Sequence, residues 1–370
     1  MKKTATNLKE LKKEVGVFAR PDPKKSTMQI VNTIVPYVLL CAAAYLAWFF
    51  APYWLAIPFI VLASGFLIRT FILFHDCCHQ SFFRSRRANS VLGTITGVLT
   101  HTPYRRWAHE HSVHHATSGN LDRKGTGDIW VMTVEEYAFA PWWKRLAYRF
   151  YRNPLVMFGL GPFGVFLIEQ RRNRKGAPLG ERINTWLTNA LIFASYAGLY
   201  VLVGWEAMLA VQLPIFFLSG VTGIWLFYVQ HNFERSYFER DEEWEFVLAA
   251  VEGSSYYKLP RPLQWLTGNI GFHHVHHLNS RVPNYLLEQA HRSSAALQKA
   301  PTLTLATSLR SLRFRLWDES IRDFRTFREA RPLIRALRAE RTAGAAKAAR
   351  EAGAAGKGSG GARARRTAVS

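Results

Sequence analysis

Thirteen histidines occur in 370 residues, and eight of them fall into three short motifs. FHDCCHQ sets His75 and His79 four positions apart, WAHEHSVHH sets His111, His114 and His115 in an H-x-x-H-H pattern, and GFHHVHH repeats that pattern with His273, His276 and His277. On a helix, residues three and four apart share one face, so each motif can aim its imidazoles at a common point. That is a metal-binding face. At this histidine content an H-x-x-H-H string is expected by chance about 0.016 times in the chain, so two of them beside an H-x-x-x-H are not an accident of composition. Imidazole suits iron, copper, zinc and nickel, but a four-coordinate zinc site has no use for eight such ligands. Eight or nine histidines imply two metals, and redox-active iron is the sensible choice if the task is a difficult oxidation. Asp76, Glu110 and Asp128 stand close to the motifs and are candidates to orient imidazole N–H groups. His101, His109, His274 and His291 lie off the inferred faces and read as outer partners or solvated residues, and Cys78 reads as a small buried helix residue.

Elements that deliver these residues to one place must be found next. Residues 29–50 and 53–74 each supply about the 20 apolar residues that cross a bilayer core, joined by the uncharged Ala51-Pro52 link. A second pair, 185–203 and 207–230, is separated only by Gly204-Trp205-Glu206. The expectation is therefore an all-α membrane protein with four transmembrane helices in two hairpins. Shorter apolar stretches at 91–99 and 154–168 read as segments on or partly in the membrane surface. The net charge of +22 is gathered in the arm before the first span, the middle section and the C-terminal part. The two hairpin links carry no Lys or Arg, so both termini and the middle section are expected on the cytoplasmic side. Every histidine motif then falls on that side, in a helical cap over the spans.

The remaining organisation follows composition. Residues 1–28 read as a retained basic arm, since no apolar run of signal-peptide type follows the first lysines. Residues 29–320 read as the membrane domain. Residues 308–340, with Leu309, Leu312, Leu316, Ile321 and Phe324 among many arginines, read as basic amphipathic helix, of which 321–340 is set apart as its own segment. The tail 341–370 holds seven basic residues and one acidic among alanine and glycine, and is expected to be disordered. Beside several spans, its charge points to anionic lipid rather than nucleic acid. Only Cys41, Cys77 and Cys78 are present, which gives neither a disulfide framework nor a zinc knuckle and points to a reducing compartment.

HDCCHQSFF, HSVHHATSGNLDRKGTGDIW, QHNFE and HVHHLNSRVPNY together resemble the membrane fatty acid desaturase family, especially its acyl-lipid delta-12 (omega-6) branch. The resemblance covers residues 30 to 320. It implies a non-haem di-iron centre that uses dioxygen and two electrons to remove two hydrogens from an acyl chain, forming a cis double bond and turning a monoene into a diene. By matching positions it marks His75, His79, His111, His114, His115, His273, His276 and His277 as iron ligands and His231, at the end of the fourth span, as the ninth. Cys78 stands where the branch commonly has glycine. Phe227 stands where the stearoyl-CoA branch has an asparagine that holds a metal-bound water. The substrate implied is an acyl lipid, acyl-CoA or acyl carrier. No haem-binding domain is expected beside the core, so a separate electron donor such as ferredoxin or a cytochrome is implied, and the basic face suits an acidic one. The location expected is the bacterial plasma membrane.

Two other functions compete. An acyl-chain hydroxylase or another oxygenase of the same superfamily would use the same oxidant to insert oxygen instead of removing a second hydrogen. A metal transporter could place histidines at its cytoplasmic mouth, but transporters generally set ionisable ligands at mid-membrane depth, and the inferred spans have no Asp, Glu or His at their centres.

Overall fold

The computed structural model describes residues 10–363, with side chains as far as 351. The start of the expected basic arm (1–9) and the end of the expected tail (364–370) lie outside the described residues. The chain forms two compact units, one built from the residues up to Trp130 together with Phe150–Leu312, the other from Val131–Arg149 and the residues from Arg313 onward.

In the first unit, three helices are long and apolar enough to cross a membrane. Pro23–Phe50 starts six residues ahead of the expected span because Asp22 caps it, accepting hydrogen bonds from the Lys24 and Lys25 amides, with Pro23 in the first turn. Such a cap satisfies amides that would otherwise lack partners. After the Ala51-Pro52 link, a 3-10 turn at Tyr53–Leu55 leads into Ile57–Cys78. This second helix continues four residues past the expected end, which puts His75 in its last turn.

Leu179–His231 is a single run of 53 residues interrupted by Gly204, at φ 77° and ψ 164°. Only glycine adopts that conformation without strain. The two expected spans lie on either side of it. Ala207, Val211 and Ile215 from one arm pack with Tyr37, Tyr45, Ile60 and Leu67 of the first helix pair, and Leu199 and Val203 of the other arm lie against the same cluster. The Tyr53 hydroxyl donates to the Ala210 carbonyl (3.0 Å) and the Gln212 amide to the Tyr45 hydroxyl (3.0 Å).

The two shorter apolar stretches are helical. Residues 91–99 belong to Arg86–Leu99, capped by Ser85. Residues 154–168 contain two π-helical turns, Leu155–Leu160 and Gly164–Ile168, around a short α-turn at Gly161–Phe163. Gly220 lets Pro162 approach, since a Cβ there would sit 2.7 Å from the proline ring.

The second unit departs from expectation. Residues 308–340 are not one amphipathic helix: Leu316–Asp318 and Asp323–Arg325 are antiparallel strands, and Met132–Thr133 pairs with the first of them in parallel. The cause is local. The Asp318 carboxylate accepts from the Ser320 amide (3.0 Å) and hydroxyl (2.7 Å) and pairs with Arg325, which closes a turn in place of a helix. Leu316, Trp317 and Phe324 are then buried as strand residues. The expected boundary at 320 falls inside this hairpin. Helix resumes at Phe327–Arg363 behind a reciprocal Thr326–Glu329 cap. It runs through the tail expected to be disordered, as far as Arg363, consistent with the high helix propensity of its alanines.

Candidate metal centre

Four helix segments of the first unit bring nine histidines together. His75 lies in the last turn of Ile57–Cys78, with His79 as its C-cap. Tyr104–Thr117 carries His111, His114 and His115, the short helix His273–Leu278 carries His273, His276 and His277, and His231 is the last residue of the kinked helix. Apart from His79 and His115, which are half-buried, all are buried.

They fall into two groups. In the first, His75, His79, His111, His115 and His276 each offer a ring nitrogen within 4.8 Å of the others. Nε2 atoms approach at 3.1 Å for His75 and His111, 3.1 Å for His111 and His115, and 3.0 Å for His115 and His276. In the second, His114, His231 and His277 converge in the same way. His273 joins them, with its Nε2 3.0 Å from that of His231 and 3.1 Å from that of His277. The His115 and His277 rings stack at 4.1 Å and place the groups side by side.

The donor set fits metal ions. An imidazole nitrogen carries either one proton or one lone pair, so the successive Nε2 contacts from His75 through His111 and His115 to His276 cannot all be hydrogen bonds. The Nε2 of His79 has no hydrogen-bond partner at all. Two nitrogens held about 2.1 Å from one first-row metal at a right angle stand about 3.0 Å apart, which is the spacing here. Burial, reinforced by neighbouring imidazoles, holds the pKa values of His79, His111, His115, His273, His276 and His277 well below the usual histidine value. These rings stay neutral, the form in which they bind metal.

Three outer partners fix ring orientation. The Nδ1–H of His75 donates to Asp76 (3.2 Å), that of His114 to Asp128 (2.6 Å) and that of His231 to the Gly253 carbonyl (3.1 Å), which leaves each Nε2 lone pair facing the group. The other Asp76 oxygen accepts from the Asn284 backbone (2.7 Å) and side chain (2.8 Å), tying the first motif to the chain beyond the third. Glu110, the third candidate carboxylate, binds Arg106 (2.9 Å) and Gln170 (3.2 Å) instead of a histidine.

The histidines expected off the faces stay off them. His101 contacts the Tyr196 hydroxyl (3.0 Å), His274 is buried and pairs with His291 (3.0 Å), and His109 is exposed. Cys78 Sγ points at the Tyr104 carbonyl. Sequence reasoning did not single out Trp107, Gly253 or Asn284. Trp107 stacks on His111 at 4.1 Å and touches His75, while Phe227 packs on His114 and His231. The spacing of Trp107, one turn ahead of His111, was the one local signal; Gly253 and Asn284 meet their histidine and carboxylate across the fold.

Three long apolar helices, with two shorter helices that complete two adjoining all-imidazole groups suited to metal, define a helical, histidine-rich protein. The fatty acid desaturase profile matches residues 48–306, and the chain belongs to that family. It is 58% identical over 316 residues to a fatty acid desaturase of Bacillus subtilis (strain 168), covering 85% of this chain and 90% of that protein. More distant similarity reaches two Synechocystis proteins. One is an sn-1 acyl-lipid omega-3 desaturase (ferredoxin), 28% identical over 67% of this chain and 68% of its own length. The other is an sn-1 oleoyl-lipid 12-desaturase, 26% identical over 68% of this chain and 72% of its own length. The chain is thus an oxidoreductase of the desaturase family.

Proposed function

We propose that this chain is an acyl-lipid desaturase that holds two iron ions and uses dioxygen to introduce a cis double bond at the delta-12 position of a monounsaturated chain. The observation that carries the reading is the sorting of nine imidazoles into a group of five and a group of four. His75, His79, His111, His115 and His276 would hold one iron, and His114, His231, His273 and His277 the other. Bound there, iron supplies the oxidant that an unactivated methylene requires. For each double bond, one dioxygen, two donor electrons and two protons combine with the two hydrogens removed to give two waters.

The protein's own part is orientation and exclusion. Asp128, Asp76 and the Gly253 carbonyl keep their histidines in the tautomer that presents Nε2. Trp107 and Phe227 give each group an apolar neighbour, which favours an acyl chain over water beside the metals. Gly204 divides the 53-residue helix into two spans, four in all, with the termini and the metal groups on the cytoplasmic face of the plasma membrane. The Synechocystis relatives' names support a lipid-borne acyl substrate and a separate ferredoxin-type donor.

The test is expression in a host that lacks polyunsaturated lipids, with mass analysis of its acyl chains. The reading expects new chains two mass units lighter at constant oxygen count, with the bond at delta-12. A gain of one oxygen would make the protein a hydroxylase, and no change in the presence of a competent donor would remove the desaturase reading.

A further inference from the structure

The helix Trp142–Tyr151 turns an aromatic stripe outward. Trp142 is 70% exposed, Trp143 59% and Leu146 59%. At about 100° per residue, these three fall within roughly a quarter to a third of the helix circumference. Arg145 and Arg149 border that stripe on one edge, while Lys144 lies about 150° from its centre, toward the side of Tyr148. No acidic residue lies in the helix, WWKRLAYRFY.

Its rotation is fixed from the opposite side. Tyr148, about half a turn round from the centre of the stripe, is wholly buried. Its hydroxyl donates to the Arg315 carbonyl and accepts from the Met132 amide (3.2 Å), and its ring lies against Tyr137 and Phe327. The stripe therefore cannot roll inward to bury itself within this unit without breaking those bonds.

We infer that this face docks on the membrane surface, with the two indoles at headgroup depth and Arg145, at the edge of the stripe, meeting the phosphates of anionic lipid. Tryptophan belongs at the boundary between acyl chains and water, and a helix with an apolar face flanked by basic residues binds there by burial together with electrostatic attraction. The charge complementarity selects an anionic bilayer as the occupant. The degree of exposure matches that of residues such as Leu46 and Trp186 on the long helices, which lipid would also cover. The second unit thereby gains a hold on the bilayer of its own. This inference rests on the reading that the long helices cross a membrane.

The test uses the full chain in vesicles of phosphatidylcholine and phosphatidylglycerol, brominated either near the headgroup end or near the methyl end of the acyl chains. Trp142→Phe/Trp143→Phe removes two of the twelve tryptophans. The emission lost in that variant should be quenched about twofold or more better by the shallow bromines than by the deep ones. If that emission is quenched by neither while the remaining tryptophans are, the helix does not sit in lipid and the inference fails alone. If no tryptophan is quenched, the spanning reading fails with it. A nitroxide on Leu146→Cys provides a second readout independent of the tryptophans. Relaxation by oxygen stronger than by a water-soluble nickel chelate supports docking, the reverse order puts the face in water, and protection from both means that a protein partner or a second copy covers it. Either of the last two results overturns the inference.

Discussion

Removing the carboxylate of Asp128 should release one metal and spare the other. Its Oδ1 accepts the Nδ1–H of His114 at 2.6 Å, and its Oδ2 accepts the Gly125 amide at 3.1 Å, so the acceptor is held in place by its own loop. Hydrogen bonds to a charged group contribute about 1.5–3 kcal/mol, which is about 10- to 150-fold in an equilibrium constant. Loss of an outer partner of a ligating histidine falls in a similar range, about 10- to 100-fold in metal affinity. Without Asp128 the His114 proton is free to move to Nε2 and take away the lone pair that faces His231. Asp128→Ala should therefore weaken iron binding in the four-histidine group by about 10- to 100-fold, while the five-histidine group keeps its metal. Asp128→Asn retains an acceptor oxygen and should lose less. The assay is anaerobic titration of metal-free protein with ferrous iron against a competing chelator, followed by elemental analysis. Both irons held within about twofold of wild type in Asp128→Ala would refute the argument that this bond sets the His114 tautomer.

His231→Ala should lower bound iron from two per chain toward one and abolish turnover while the protein still inserts. His109→Ala is the matched control, because His109 is exposed whereas His291 touches His274 inside the third motif; equal iron in the two variants would remove His231 from the centre. Gly127 has φ +75°, and a Cβ there would sit 2.9 Å from the Glu110 carbonyl and 3.1 Å from the His114 Cβ. Gly127→Ala should accordingly cost roughly 1–3 kcal/mol and loosen the Asp128 loop, seen as a lower melting temperature together with reduced iron retention; an unchanged melt would contradict it. Burial, with Arg171 adding repulsion, lowers the pKa of His101 from 6.5 to about 4, and the Tyr196 hydroxyl bonds its ring. Because the folded value lies below the unfolded one, this contribution to stability is complete above pH 6.5 and is lost as pH falls toward 4, by about 2 kcal/mol between pH 7 and pH 5. His101→Gln should flatten that part of the melting profile in detergent, and an equally steep profile would show that another group sets it.

Local spacing made the histidine-bearing helices legible. The H-x-x-H-H and H-x-x-x-H motifs demand helical faces, and His75, His111, His115 and His276 do meet at Nε2. The uncharged links and apolar runs likewise marked the long helices, although cap chemistry at Asp22 and the extension to Cys78 moved their ends. His231 has no motif of its own, so its inclusion depended on the resemblance and on which end of a helix delivered it. What spacing cannot show is partnership across the fold: Gly253 behind His231, Asn284 behind Asp76, and the diversion of Glu110 to Arg106 are set by packing. The stretch around Leu316 and Phe324 misled because leucines and arginines at mixed spacing fit a helix, whereas the Asp318–Ser320 turn and pairing with Met132–Thr133 favour strands.

Counting iron in purified, active protein tests the two-metal account most directly. With one metal in each histidine group, the account predicts two irons per chain. Activity should decline in step with chelation and return with ferrous iron but not with zinc. Full activity at one iron per chain, or turnover that survives complete removal of iron, would contradict it.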